Sequence, residues 1–467
     1  MAAPRISPGS VIDGFTVDSQ VHRGGMATIW AVKKPGIDTP LIMKVPRLAE
    51  GEDPATIVGF EMEQMILPRL SGPHVPKFVA AGDFRTLPYI VMEWIEGKSL
   101  HTRLPDLPLP PAEVADIGAR VATALDALHR QQVVHLDVKP SNVMVRPSGE
   151  MALIDFGLSH HLLLPDLLDE EFRLPYGTAP YMAPEQVLGQ RSEPRSDLFA
   201  LGSLMYFFVT GTRPFGDPQT LKGLKKRLWR DPPPPRKLRP ECPPWLQEII
   251  LRCLEVDPAQ RHPTAAQLAL DLRTPGQVSL TARSERMTQD GFIAAFKRRM
   301  DLDHILVIDK GPAPGDAPII MAAVDFNTLG DAAAEAMRAT IRQLMIAMPR
   351  ARLACVNVLK LRRIGIDSTL DDEGEHKHLQ RLIELRHWAR PLELPDGSVT
   401  FHVLEATSPA DAILDYARAN HIDHIVMGAR ERSAMRSLLG SVSGEVAAEA
   451  PCTVTVVRVR AEDGAAP

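Results

Sequence analysis

Along the first hundred residues, apolar positions alternate with polar ones or run in short β-branched blocks. VIDGFTVDSQV and ATIWAVKK flank Gly24-Gly25, a pattern that predicts two strands joined as a hairpin. PLIMKVP predicts a further strand, and PYIVMEWIEG a buried strand ending in a glycine turn. Between these, Ile57, Phe60, Met65, Ile66 and Leu70 recur near helical spacing across residues 56–70. After a proline-rich loop at 105–111 the pattern changes. Residues 112–130 and 196–211 predict apolar helices, and 243–256 and 264–272 amphipathic ones. A small β-rich lobe is therefore followed by a larger helical lobe that ends near Leu272.

Residues 273–302 are polar and partly basic, and predict a tether with one short helix at FIAAFKRRM. From about 303 the pattern changes again. IIMAAVD, LACVNVL, VTFHVLE, HIVMGA and TVTVVRV are continuous apolar runs, typical of strands buried on both faces. Helical stretches at 331–348, 375–390, 409–420 and 441–449 fall between them. That alternation predicts a parallel sheet with helices on both sides. The organisation is thus 11–272, a tether over 273–302, a second domain over 303–460, and a disordered tail at 461–467.

Composition narrows the function classes. The 467 residues carry 53 Lys and Arg against 58 Asp and Glu, with 45% hydrophobic residues. Those are ordinary globular proportions and argue against a largely disordered chain. A net charge of −5 argues against a dedicated nucleic-acid binder, whose affinity rests on neutralising phosphates. None of the four cysteines sits in a C-x-x-C pair, so they read as reduced, buried thiols. The start has no apolar secretory core. The most apolar stretch, Leu198 to Val209, is about 12 residues long where a spanning helix needs about 20. A cytoplasmic protein without a membrane segment is expected. PPPP at 232–235 reads as a rigid loop, with a proline-rich ligand as the alternative.

The chemistry of the first part lies in short motifs in fixed order. HLDVKPSN at 135–142 precedes DFG at 155–157 and GTAPYMAPE at 177–185, with Lys44 and Glu63 before them and Asp197 and Arg261 after. In this set the sequence resembles a protein kinase of the bacterial Ser/Thr type over about 260 residues. The resemblance implies a two-lobed α+β kinase fold that binds ATP and Mg²⁺ between its lobes. It makes Asp137 the group that orients the acceptor hydroxyl and takes its proton, with Lys139 on the γ-phosphate. Asn142 and Asp155 would be the Mg²⁺ ligands, both hard oxygen donors. Lys44 would hold the α- and β-phosphates and Glu63 would hold Lys44, with Glu61 as the competitor. Gly24 and Gly25 would approach the phosphates. Met92 resembles the gatekeeper, Glu93 to Ile95 the hinge backbone, and Met144 the floor of the adenine site, with Val21 and Ile29 covering it. Glu185 with Arg261, and Asp197, would be structural. Protein Ser/Thr hydroxyls are the implied substrates.

Four residues depart from that pattern. The glycine loop reads His22-Arg23-Gly24-Gly25-Met26-Ala27, stiffer than the family's, and Ile42 replaces a small residue two before Lys44. Weaker ATP binding is expected. Leu136 stands where the family has an arginine that reads a phosphate on the activation segment. Between Ser159 and Thr178 there is no Ser or Thr. Both the phosphorylation site and its reader are absent, so a non-RD kinase that does not depend on phosphorylation of this segment is expected. LLLPDLL would pack on its own lobe or on a partner. Thr178 matches a substrate-positioning residue, and Thr274, Ser279, Thr281, Ser284 and Thr288 are candidates for self-phosphorylation.

In the second domain, AAVDFN at 322–327 and MGARERSAMRSLLGSVSGEVAAEAPCTVTVVRV at 427–459 resemble a universal stress protein, an α/β parallel-sheet, Rossmann-like fold. The ATP-binding branch of that family has glycines that wrap phosphates. Here Asp325, Gly428, Gly440, Ser441 and Ser443 fit that pattern, whereas Glu431 occupies the second glycine position one residue out of register. A carboxylate there repels phosphate, although Arg430 and Arg432 offset it. Nucleotide sensing, and dimerisation through a last strand that pairs with its copy, both stay open. The rival readings are a pseudokinase scaffold that binds nucleotide without transfer, and a stress domain regulated by its kinase lobe.

Overall fold

A computed structural model of the protein describes residues 6–47, 54–82, 87–172, 174–289, 317–327, 329–361, 376–395, 398–429 and 441–458. The first lobe is an antiparallel sheet of β1 (Val11–Ile12), β2 (Phe15–Arg23), β3 (Ala27–Lys34), β4 (Ile37–Pro46), β5 (Phe78–Ala81) and β6 (Ile90–Glu93), in the order β1-β2-β3-β4-β6-β5. Alternation along β4 sends Leu41, Met43 and Val45 into a core with Phe15, Trp30, Val32 and Tyr89. Ile42 and Lys44 therefore face the other way, toward helix α1 (Ala55–Ile66). That helix has no side-chain N-cap and no acidic first turn, and it is buried on nearly every side. Packing rather than capping holds it.

The second lobe is built on α2 (Pro111–His129), with β7 (Lys98–Ser99), β8 (Val133–Val134), β9 (Val143–Val145), β10 (Met151–Leu153) and β11 (His160–His161) on its cleft side. It continues through α3 (Leu167–Glu171), α4 (Pro184–Val187), α5 (Arg195–Thr210), α6 (Leu221–Leu224), α7 (Pro235–Leu238), α8 (Pro244–Cys253) and α9 (Ala265–Arg273). The apolar run of α5 is the centre of this lobe; Leu201, Leu204, Met205 and Phe208 are fully buried. α2 approaches so closely that a Cβ on Gly118 would lie 2.5 Å from Met205 Sδ, so any side chain here would displace the Met205 thioether. The proline run is structural: Pro233 accepts a hydrogen bond from the Tyr206 hydroxyl, and Pro235 opens α7. Cys242, Cys253 and Cys355 are buried and Cys452 half-buried, and all four are free thiols.

The expected tether begins as a docked strap. Thr281 N-caps α10 (Ala282–Glu285) and bonds the Glu248 carboxylate on α8, while the Gln247 amide donates to the carbonyls of Arg283, Ser284 and Arg286. Ser284 is buried and Thr281 engaged, so neither is an open acceptor in this conformation. The predicted helix at FIAAFKRRM lies outside the described residues.

The second domain is a five-stranded all-parallel sheet of β12 (Ile319–Ala323), β13 (Arg352–Lys360), β14 (Val399–Ala406), β15 (His424–Gly428) and β16 (Thr453–Val457), ordered β14-β13-β12-β15-β16. Helices α11 (Asp331–Ala347), α12 (Lys377–Ala389), α13 (Pro409–Ala419) and α14 (Ser441–Glu449) connect the strands. They match the stretches expected from sequence to within about two residues. Chain order reverses between β12 and β15, and the crevice at the strand ends there is where doubly wound folds bind ligands. The two domains are packed together: α3 lies against α1 on one side and against β14 and α13 on the other.

Candidate active site

The cleft between the lobes gathers its charges around three carboxylates. Lys44 Nζ lies 2.5 Å from Glu63 Oε2 and 2.8 Å from Asp155 Oδ1. Glu61, the competing carboxylate, instead faces away and pairs with Arg386 of α12. Burial opposes charge on Lys44; the carboxylates of Asp155 and Glu63 outweigh it and hold the ammonium protonated, above its ordinary value. The Lys44 charge in turn pulls the Asp155 carboxyl down to about 2 against the desolvation that opposes it. Phe156 donates its N–H to Glu63 and packs on the His135 ring at 5.4 Å, which locks helix α1 to the DFG segment. Two glycines meet at this contact, backbone against backbone. A Cβ on Gly59 would lie 3.0 Å from the Gly157 carbonyl.

Asp137 is 5% exposed and fully engaged. Its Oδ1 accepts from the Thr178 hydroxyl at 2.6 Å and the Thr178 N–H at 3.2 Å. Its Oδ2 accepts from Asn142 Nδ2 at 2.9 Å and lies 2.6 Å from Lys139 Nζ, which also donates to Thr178 Oγ1 at 2.9 Å. The Ile154 N–H bonds the Asn142 carbonyl, so Asn142 and Asp155 are held side by side. The Asn142 amide nitrogen is spent on Asp137, which assigns its oxygen the remaining, acceptor role. An ionised carboxylate beside an amide oxygen is a donor set that suits a hard divalent cation such as Mg²⁺. Lys44, Glu63, Asp137, Lys139, Asp155 and Thr178 line a cavity of about 200 Å³ together with Met26, Phe60 and Thr56.

The loop that carries Asp137 is strained and therefore braced. Leu136 sits at φ 62° and Asp155 at φ 68°, both unusual for residues with side chains. Asp197, on the first turn of α5, takes the His135 and Leu136 N–H groups on its two oxygens at 2.8 Å each and holds His129 as well. Gln186 donates to the Leu136 carbonyl. Arg261 and Glu185 form a two-bond pair at 2.6 and 2.8 Å, both buried, beneath the 177–185 segment. The buried Arg227 guanidinium donates to the carbonyls of Ala179 and Met182 in that segment; burial alone lowers it to about 10. Sequence reasoning missed Gln186 and Arg227, because a lone Gln or Arg outside the motifs carries no pattern.

The remaining expected residues lie on the strands and turns around the cleft. Gly24 and Gly25 form the β2–β3 turn, where Gly24 N–H bonds the Ala27 carbonyl and the His22 ring covers Gly24. Ile29 is on β3 opposite Lys44, and Ile42 pairs in register with Met92 of β6. Met92 and Ile95 are buried, Met144 on β9 is half-buried, and Val21 on β2 is exposed. Glu93 pairs with Arg146, which draws its carboxyl below the usual range against the cost of burial.

In the second domain, Asp325, Gly428 and Ser443 meet around a cavity of about 240 Å³ at the ends of β12, β13 and β15, with Asn327, Lys360 and Met427. Gly428 is closely packed: a Cβ there would lie 3.1 Å from the Leu329 side chain. Gly440, Glu431 and its flanking arginines lie outside the described residues, as does the side chain of Ser441.

The chain matches the protein kinase domain family over residues 15–271, more than half its length, and the universal stress protein family over 318–458. It belongs to the protein kinase family and carries a C-terminal universal stress protein domain. Among curated relatives, serine/threonine-protein kinase PknB of Mycolicibacterium smegmatis is 29% identical over 57% of this chain and 43% of its own. Serine/threonine-protein kinase pkn3 of Myxococcus xanthus is 31% identical over 56% and 49%. The kinase domain of Mycobacterium tuberculosis PknI, a solved structure, is 25% identical with a TM-score of 0.46, covering 59% of this chain and all of that one. The chain spans under half the length of both curated relatives.

Proposed function

We propose that the protein is a serine/threonine kinase that transfers the γ-phosphate of ATP to protein hydroxyls. Residues 11–272 are the transfer unit and 303–460 a regulatory unit. The observation that carries this reading is the closed set of charges joining Lys44 to Glu63 and Asp155, and Asp137 to Lys139, Asn142 and Thr178. Phosphoryl transfer needs positioning and charge neutralisation more than covalent help, and these groups supply both. Asp137 orients the acceptor hydroxyl and receives its proton. Lys139 neutralises charge as it develops beside Asp137, and Lys44 holds the inner phosphates. Asn142 and Asp155 would hold Mg²⁺, which when bound neutralises the polyphosphate. Met92, the Glu93–Ile95 backbone, Met144, Val21 and Ile29 form the adenine cleft, with Gly24 and Gly25 above the phosphates.

The enzyme is of the non-RD type and works without phosphate on its activation segment. Leu136 and the absence of Ser or Thr over residues 160–177 support this. No helix among the described residues is long and apolar enough to cross a membrane, in keeping with a cytoplasmic kinase. The crevice holding Asp325, Gly428 and Ser443 supports nucleotide sensing by the second domain, and β16, at one edge of its sheet, supports pairing with a second copy.

The test is transfer of labelled γ-phosphate from Mg-ATP to the protein itself and to casein. Wild type incorporates label and Asp137→Asn does not. If neither protein is labelled while both bind nucleotide, the pseudokinase scaffold is the correct reading.

A further inference from the structure

We infer that the second domain reads the activation segment: Arg352, His402 and His378 hold the carboxylates of Glu170 and Glu171 in place of a phosphate and its arginine, and so position the kinase for transfer. The inference rests on the kinase reading above and names its regulator. The first domain offers no cation at Leu136, an apolar side chain only 3% exposed. The segment offers no Ser or Thr over residues 160–177 but does carry fixed negative charge in α3.

That charge is met by the other domain. Arg352 Nη2 lies 2.8 Å from Glu170 Oε1, and its Nη1 donates to Oε2 at 3.1 Å. His402 Nε2 lies 3.0 Å from the same Oε2, and the Tyr416 hydroxyl 3.4 Å from it. The Asn420 amide donates to the Glu170 carbonyl at 3.2 Å. Glu171 sits 3.4 Å from His378 Nε2 and 3.6 Å from His402 Nδ1. A two-pronged arginine on an anionic group is the geometry by which proteins also read phosphates. Burial opposes charge on His402, yet the two carboxylates raise it to about 9, so the imidazole stays cationic at neutral pH. Burial likewise opposes charge on Glu170, and Arg352 and His402 overcome it to hold the carboxyl at about 2.

Two routes join this cluster to the catalytic groups. Asp166 caps α3 and pairs at 2.6 Å with Arg191, which also donates to the carbonyl of Leu158, the residue after the DFG motif. Arg386, from α12, pairs with Glu61 on α1, two residues from Glu63. The second domain thus grips both the activation segment and the helix that carries Glu63. It does so through side chains placed on β13, β14 and α12, so its own folding sets their spacing.

The experiment uses the full chain with Arg352→Met, Glu170→Gln, the double variant, and Arg386→Met. It reads kcat, the KM for ATP, and hydrogen exchange by peptide. Each of the first two is expected to lower kcat about tenfold, a usual size for coupling between packed sites. KM for ATP stays within about twofold, and the double variant is no worse than either single one. Arg386→Met lowers kcat by a smaller factor. Exchange rises over 162–176 while β12–β16 keep their protection. Unchanged kcat with a loosened segment overturns the inference, and so does loss of protection across the second sheet, which marks a structural role. If wild type transfers no phosphate, the kinase reading fails by itself. Exchange then still decides the docking, and unaltered protection of 167–171 in Arg352→Met refutes it.

Discussion

Replacing Arg261 by Met tests how the 177–185 segment is held. Arg261 is 1% exposed, and its guanidinium makes five hydrogen bonds, two to Glu185 and one each to the carbonyls of Arg195, Glu255 and Val256. It also covers the Phe199 ring. Methionine fills much of the same volume but leaves Glu185, 4% exposed, with Ser196 as its remaining side-chain donor in the described contacts. Removing one member of a buried pair costs about 3–5 kcal/mol, because the stranded charge keeps its desolvation penalty. Most of that falls on the Glu185 carboxylate, so adding Glu185→Leu to Arg261→Met recovers about 1–3 kcal/mol. The assay is urea dependence of hydrogen exchange in α5, which reports opening of this lobe even when the two domains do not unfold together. An Arg261→Met protein within about 1 kcal/mol of wild type refutes the reasoning, as does a double variant less stable than the single one.

Glu63→Gln is expected to cut kcat about a hundredfold by releasing Lys44, whereas Glu61→Gln acts only through Arg386 and cuts it less; steady-state kinetics on both variants checks the order. Docking of the second domain should also depend on pH. Here α3, β13, β14, α12 and α13 face one another with Glu170, Glu171, Arg352, His402, His378, Glu405 and Tyr416. The His402 value is raised on docking, so its contribution is complete below its ordinary 6.5 and is lost as pH rises through about 9. The Glu170 value is lowered, so its contribution is present above 4.5 and is lost as pH falls through about 2. Protection of residues 167–171, corrected for intrinsic exchange, should be greatest near pH 5–6.5 and weaken by about 3 kcal/mol toward pH 10. Flat protection across that range contradicts it.

Much of this was legible because it is local. The β12–β16 strands announce themselves as unbroken apolar runs, and each kinase motif is complete within a few consecutive residues. The sequence favoured Glu63 over Glu61 as the partner of Lys44 only by its resemblance to the family pattern around Ile66-Leu67; two residues apart on a helix they point about 200° apart, and the fold turns Glu63 toward Lys44 and Glu61 toward Arg386. The activation segment read as an apolar stretch packing on its own lobe or a partner. Leu167 and Leu168 are indeed buried, but α3 is wedged between α1 and the second domain. No window of sequence links Glu170 to Arg352, 182 residues later, because that contact exists only after both domains have folded. The same holds for the strap, where polar composition suggested a tether and Gln247 and Glu248 supply partners for its first part.

The account rests on a cleft assembled without phosphate on its activation segment. The most direct measurement is the transfer rate to casein of protein stripped by phosphatase and shown by mass spectrometry to carry no phosphate, followed from the first turnover. The account predicts the full rate at once, with no lag and with residues 160–177 unmodified at the end. A stripped enzyme that starts inactive and recovers only as it phosphorylates itself would contradict it.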